Sequence, residues 1–391
     1  MRKYLLFLPL VLLIGWSTSC KNVSTAPPAA TAANTDWYGQ LKLLLQEAVD
    51  DAQGTVPGVS AAVIDRDKDI LWEDAVGFAD LNETIPLSSD YAFRIASVTK
   101  TFVAAAILRL HELDSLDIYE SISDHISEAH RELLIADGYQ PDNITLLHCL
   151  QHTSGLYDYA VGSPAYLETL SKNPARQWSR TDQLRFAMDL GDPLWPPGEG
   201  FYYSDTGYIL LGEAIERAVD STLAYGLRSL LKFEDLYLEN TWLETVEPRP
   251  AVVQDQVVRR YFQRQDYTEW DASIDLWGGG GLMATTGDIA RFVHALFAGD
   301  VFDQPATLAL MLAPPDPFPD SYQAEGNPRH MDYRAGLHAI ELYGKTVYSH
   351  SGFWGTGFLY LPEHKATIAV NYTAGYKERL MKKIAHLLTQ E

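Results

Sequence analysis

Apolar residues recur at Leu41, Leu44, Leu45 and Ala48 within residues 37–52. That three- and four-residue spacing is the period of a helix with one buried face. The period then changes. Residues 59–64 and 70–77 are rich in β-branched and aromatic side chains and are separated by Asp65-Arg-Asp-Lys-Asp69, which predicts two strands joined by a polar turn. Residues 102–110 are apolar on nearly every side and predict a buried helix. From about 115 to 300 the pattern is mainly helical with long loops, the helices falling at 146–151, 181–190, 207–219 and 286–298. Tyr208, Leu211, Ile215 and Ala218 make a one-sided stripe, while Pro196-Pro-Gly198 and residues 277–281 mark loops. Near the end, 333–342 and 345–350 predict strands, 357–361 and 366–372 a hairpin around Glu363-His-Lys365, and 377–388 a closing helix. Strands at both ends with helices between them imply an α+β fold: an antiparallel sheet flanked by N- and C-terminal helices, plus an inserted, mainly helical lobe.

The first residues break this pattern. Arg2 and Lys3, an apolar run over 5–16 and small residues before Cys20 have the layout of an export signal, and the run is too short for a permanent span. Ser17-Thr-Ser-Cys20 resembles the lipobox of bacterial lipoproteins, with Ser17 where leucine is usual. Two outcomes stay open: lipidation at Cys20, which would attach the protein to a membrane of the cell envelope, or cleavage nearby and plain secretion. Residues 21–36, rich in Ala, Pro, Ser and Thr, suit a tether, and residues 37–391 a single domain in two lobes.

Composition adds exclusions. A net charge of −22 argues against nucleic acid and anionic membrane surfaces as partners. Cys20 and Cys149 are the two cysteines, so no disulfide is available once Cys20 is lipidated or removed. Cys149 lies in an apolar stretch and reads as a small buried hydrophobe.

The chemistry begins at Ser97-Val-Thr-Lys100. Three residues apart at a helix start, the Ser97 hydroxyl and Lys100 amine share one face. Serine needs a neighbouring base and an oxyanion site to act as a nucleophile, and a desolvated lysine can supply the base. A lysine in a first turn opposes the helix dipole, so a charge there is unfavourable unless something uses it. Three further segments match that need. In Tyr202-Tyr-Ser-Asp-Thr-Gly-Tyr208 a tyrosine could pass a proton. In His350-Ser351-Gly352, at a strand end before Phe353, the glycine admits a substrate and the next amide could face an oxyanion. The third is the glycine loop of residues 278–286.

Together, Ser97-x-x-Lys100, Tyr203-Ser-Asp205 and His350-Ser-Gly352 resemble, in order and spacing, the serine β-lactamase/penicillin-binding superfamily. The likeness is to its class C-like branch of class C β-lactamases, DD-peptidases, D-aminopeptidases and related esterases. Val56-Pro-Gly58, residues 150–156 and residues 280–285 support it, and the match covers about residues 40–390. The resemblance implies a β-lactamase-like fold and a serine hydrolase that works without a cofactor or metal on a small-molecule or peptide substrate. It makes Ser97 the acylated nucleophile, Lys100 the base or proton acceptor, and Tyr203 a proton shuttle. His350 takes the place of a lysine common in relatives. The Ser97 and Phe353 amides would form the oxyanion hole, with Ser351, Gly352 and Asp205 lining the substrate site. Asp205 departs from the family's asparagine: an ionised aspartate can only accept hydrogen bonds, and beside Lys100 it favours the ammonium form. That departure leaves a second reading open, a penicillin-binding or sensing module that turns over slowly.

Plainer roles compete at several positions. His148 and His152, four apart, could face one metal, but with no third ligand evident a structural hydrogen bond is the stronger reading. Phe353, Trp354 and Tyr157 could line a substrate cleft or simply pack in the core. No Gly-x-Ser-x-Gly elbow is present, which disfavours an α/β-hydrolase mechanism.

Overall fold

The computed structural model describes residues 32–50, 56–160, 163–262, 264–316, 332–375 and 378–390. The expected signal segment and Cys20 lie outside these residues. The backbone is already helical from Ala32, ahead of the expected end of the tether.

Helix α1 (Ala32–Asp50) leads into strands β1 (Gly58–Asp65) and β2 (Ile70–Gly77), joined by the polar turn read from the sequence. After the short β3 (Phe93–Arg94) come helices α2 (Thr99–Glu112), α3 (Glu128–Ala136), α4 (Leu146–Leu150), α5 (Pro164–Lys172), α6 (Arg180–Leu190), α7 (Asp205–Val219) and α8 (Leu223–Leu230). Short strands β4 (Trp242–Leu243), β5 (Tyr261–Phe262), β6 (Gln265–Asp266) and β7 (Leu282–Ala284) precede helices α9 (Thr286–Ala298) and α10 (Pro305–Met311). The chain closes with β8 (Asp332–Tyr333), β9 (His338–Leu342), β10 (Lys345–Ser351), β11 (Thr356–Leu361), β12 (Ala366–Tyr372) and helix α11 (Glu378–Thr389).

The main sheet runs β2-β1-β12-β11-β10-β9-β8, every pair antiparallel. Pairing of the early β1 with the late β12, Val59 opposite Tyr372, closes the sheet lobe with the two chain ends side by side. Alternation along β1 assigns its faces. Val59, Ala61 and Val63 point into a core with Leu41 and Leu45 of α1 and Ile384 and Leu388 of α11, whereas Ala62 joins the opposite core with α2, α7 and α9. Ser60, on that second face, satisfies its hydroxyl against Thr286 at 2.9 Å.

Helix α2 runs through the middle of this second core, buried from Thr99 to Leu110 as its all-round apolar sequence requires, with Phe102 stacked on Phe292 at 3.7 Å between centroids. Burying each such side chain contributes about 1.5–3 kcal/mol, which fixes the helix as a rigid platform.

Two sequence expectations need adjustment. The stretch 333–342 is two strands, interrupted around a glycine with φ +78°, Gly336. The glycine loop runs straight into β7, which sits between β3 and β4 in a second small sheet. A three-residue strand buried on both faces carries no alternation to betray it. Among the described residues no helix is long and apolar enough to cross a membrane.

Candidate active site

Ser97 sits in a single tight turn, Ala96–Val98, immediately ahead of α2. Ala96 before it has φ +45°, in the left-handed region that side chains avoid. Such backbone costs on the order of 1–3 kcal/mol and persists where surrounding structure holds it. Here the end of β10 does the holding. A Cβ on Gly352 would fall 2.2 Å from the Ile95 carbonyl oxygen, so only glycine lets the strand end lie against the Ser97 turn. Neither the Ser97 nor the Phe353 amide is spent on a backbone hydrogen bond among the described residues.

Lys100, one turn on, is fully buried. Its ammonium donates to Ser97 Oγ at 3.1 Å and to the Gly279 carbonyl at 2.6 Å, and it forms an ion pair with Asp205 Oδ1. The rings of Tyr203 and Tyr208 lie 5.0 and 5.5 Å from Nζ. Burial, the largest single effect, pushes the Lys100 pKa down, but the charge and hydrogen bond of Asp205, with the Tyr203 and Asp275 charges, together hold the amine above the ordinary lysine value.

Asp205 is placed by the start of α7. Its amide donates to the buried Asp158 carboxylate at 2.7 Å, and the preceding Ser204 amide donates to His152 Nδ1 at 3.1 Å. Thr206 and Tyr208 hydroxyls donate to the carbonyls of Tyr157 and Leu150. The segments 150–158 and 202–208, singled out separately in the sequence, therefore meet as one scaffold. His152 takes part in it through Nδ1, while its buried Nε2 meets no hydrogen-bond partner among the described residues, and His148 Nδ1 accepts from the Thr145 amide at 3.1 Å as part of the α4 cap.

The buried Tyr203 hydroxyl meets no partner in full hydrogen-bond geometry, yet Ser97 and Lys100 stand close enough to act on it. Burial raises its pKa, and the Lys100 charge opposes that rise. His350 lies deeper, with its ring 6.3 Å from that of Tyr203. Its Nδ1 meets the Ser351 carbonyl at 3.0 Å, so Nδ1 carries the proton and Nε2 accepts from the Tyr333 hydroxyl at 3.1 Å. Burial, with the His338 and Lys100 charges, pushes its pKa well down and keeps the ring neutral.

Ser97 opens onto a cavity of about 510 Å³. Tyr203, Asp205, Ser351, Gly352 and Phe353 share its lining; Lys100 and His350 stand behind the wall, and Tyr157 packs elsewhere, on Tyr202. Phe353 is 49% exposed and stacks on Phe262 at 4.6 Å, and Trp354 also faces the space. Sequence reasoning missed part of the lining, where Tyr166 and Leu167 of α5, Trp270 and Asp275 border the cavity. An acid inside the apolar run Ile274-Asp275-Leu276-Trp277, next to the glycine loop, was the available signal.

Comparison with known proteins identifies the family and the fold. The model of the family described as Beta-lactamase matches residues 43–391. Penicillin-binding protein 4* of Bacillus subtilis (strain 168) is 26% identical over 349 residues, covering 82% of this chain and 70% of that protein. Esterase EstB of Burkholderia gladioli is 32% identical over 199 residues, covering 50% of this chain and 49% of the esterase. Among solved structures, D-amino acid amidase from Ochrobactrum anthropi SV3, complexed with L-phenylalanine amide, superposes with a TM-score of 0.72 at 24% identity, covering 90% of this chain and 96% of the amidase. EstCE1, described as a hydrolase with promiscuous acyltransferase activity, gives a TM-score of 0.72 at 20% identity over 92% of this chain and 100% of its own. At these identities the two structures speak to the fold.

Proposed function

The chain belongs to the beta-lactamase family, a family of serine hydrolases, and on that premise we propose that it hydrolyses esters or amides through an acyl-enzyme on Ser97. The observation that carries this reading is the position of Ser97: its Oγ opens onto the cavity while Lys100 Nζ lies 3.1 Å away and Tyr203 shares the same wall. In the forward step Ser97 Oγ bonds to the substrate carbonyl carbon as its proton passes to Tyr203, and Tyr203 gives its own proton to the leaving oxygen or nitrogen. The Lys100 ammonium steadies the charge that develops on the phenol oxygen, and the Ser97 and Phe353 amides receive the oxyanion. Water then adds to the acyl carbon, Ser97 regains a proton by the reverse route, and the acid leaves.

Lys100 paired with Asp205 is a poor resting base, which places the proton on Tyr203 and favours esters and simple amides over β-lactams as substrates. The names of the relatives, an esterase, a penicillin-binding protein and an amidase, span the same range. Intact-mass measurement after a serine-reactive phosphonate or a β-lactam should show one adduct that is lost in Ser97→Ala; no adduct with any such probe overturns the proposal. Nitrocefin cleaved far faster than p-nitrophenyl esters would reverse the substrate preference. The same ion pair favours one rival, a sensor that acylates and stalls. One equivalent of product followed by silence would support the sensor, and steady turnover the enzyme. We further place the protein outside the cytoplasm, held by lipid on Cys20 or released.

A further inference from the structure

One wall of the cavity carries an acidic side chain that the reaction above does not use. Asp275 ends a short turn, Ala272–Asp275, and its carboxylate faces the same cavity as Ser97. Among the described residues it accepts no hydrogen bond and forms no ion pair, although neighbouring carboxylates such as Asp158, Asp271 and Glu244 are all satisfied. The cations near it make their contacts with other groups. Lys100 is bound to Asp205 and Gly279, and Arg260 donates through Nη1 to the Trp270 carbonyl at 2.7 Å, with Nη2 3.6 Å from Glu244 and Nε without a hydrogen-bond partner among the described residues. The carboxylate lies against the glycine run: a Cβ on Gly280 would fall 2.2 Å from Asp275 Oδ1, so Gly280 leaves it room. Around it the cavity is aromatic and aliphatic, with Tyr166, Leu167, Trp270 and Trp354 in the lining.

An unpaired carboxylate in apolar surroundings is unfavourable unless a ligand completes it. We propose that Asp275 is the counter-charge for a substrate cation, so that the cavity selects acyl groups bearing both an apolar or aromatic body and a protonated amine. Asp275 is a specificity-determining residue on this assignment, which rests on the hydrolase reading for its substrate but not for its binding test. The groups facing it fit the role. Burial and the Asp205 charge push its pKa up to about 7 against the opposing pull of Lys100 and Arg260, with Glu244 adding to the rise. A carboxylate so destabilised gains most when an ammonium arrives.

Binding is measured first, on Ser97→Ala protein, so that turnover is not required. Phenethylamine should bind about tenfold or more tightly than phenethyl alcohol at about pH 8, as a charge-assisted contact in a desolvated pocket allows. That ratio should fall towards one in Asp275→Asn. In the protein with Asp275 intact it should also shrink as the pH is lowered through about 7, where the carboxylate takes a proton while the ligand stays charged. The pH series needs no second variant to fold. Equal binding of the two ligands at about pH 8, or a preference that survives both Asp275→Asn and acidification, overturns the assignment. In active protein the same ratio should reappear in kcat/KM for p-nitrophenyl esters of phenylalanine against those of 3-phenylpropionic acid. Absence of hydrolysis with the binding preference intact would count against the hydrolase reading and for the cation site.

Discussion

Asp205 is the residue on which the chemistry turns, because it decides what Lys100 can do. With the carboxylate in place, the lysine pKa lies above its ordinary 10.5, so the stability linked to the lysine's own proton is present below that value and is lost as the pH rises beyond it. Asp205→Asn removes the attraction and leaves the burial, which alone pulls the amine's pKa down. The variant's kcat/KM should therefore reach its plateau at lower pH than the parent's, with a rise of about tenfold or more near neutrality. A pH–rate profile that overlays the parent's would show that Lys100 plays no part as a base even when freed. The same change should lower stability by about 3–5 kcal/mol at most, and by less as the pH rises, since a lysine with a depressed pKa sheds its buried charge more readily there. Thermal melts across pH measure this directly.

At the level of elements, the site depends on one strand end meeting one turn. Gly352→Ala would drive a methyl group into the Ile95 carbonyl and crowd Ala96, whose left-handed backbone leaves little room to retreat. The Ser97 turn must then part from β10, and displacing reacting groups by about 1 Å costs roughly a hundredfold in rate. Steady-state kinetics should show that loss while the far-UV spectrum stays native; an unimpaired variant would mean that the contact positions nothing. This juncture was half legible in the sequence. Strand-like runs on either side of polar turns marked β1, β2 and the β11–β12 hairpin, and the i, i+3 relation put Lys100 beside Ser97, because both signals are local. The wall formed by Tyr166, Trp270 and Asp275 depends on two distant segments converging, and beyond the acid set in the apolar run 274–277 nothing local announces it. The φ of Ala96 was equally hidden, since alanine gives no sign of a left-handed turn. β7 escaped because three buried residues after a glycine run have no period to read.

Across the whole molecule, the two chain ends share the main sheet: α1 and α11 cover one face while the helical lobe and α2 cover the other. The net charge of −22 over the whole chain argues against attraction to anionic lipid. Metabolic labelling with an alkyne fatty acid in a bacterial expression host separates the two routes: label on the parent that is lost in Cys20→Ser, with the variant released to the soluble fraction, supports the lipid anchor, and unlabelled parent protein outside the cell supports plain secretion. The construction of the cavity has a different reach. The nucleophile and its lysine belong to a helix buried from Thr99 to Leu110, whereas much of the wall facing the acyl group is partly solvent-facing, Phe353 at 49% and Leu167 and Ala160 in part. Substitutions at such positions have small effects on folding, so inheritance can explore them freely while the reacting groups stay fixed. Divergence of substrate within this lineage can therefore run ahead of divergence in mechanism.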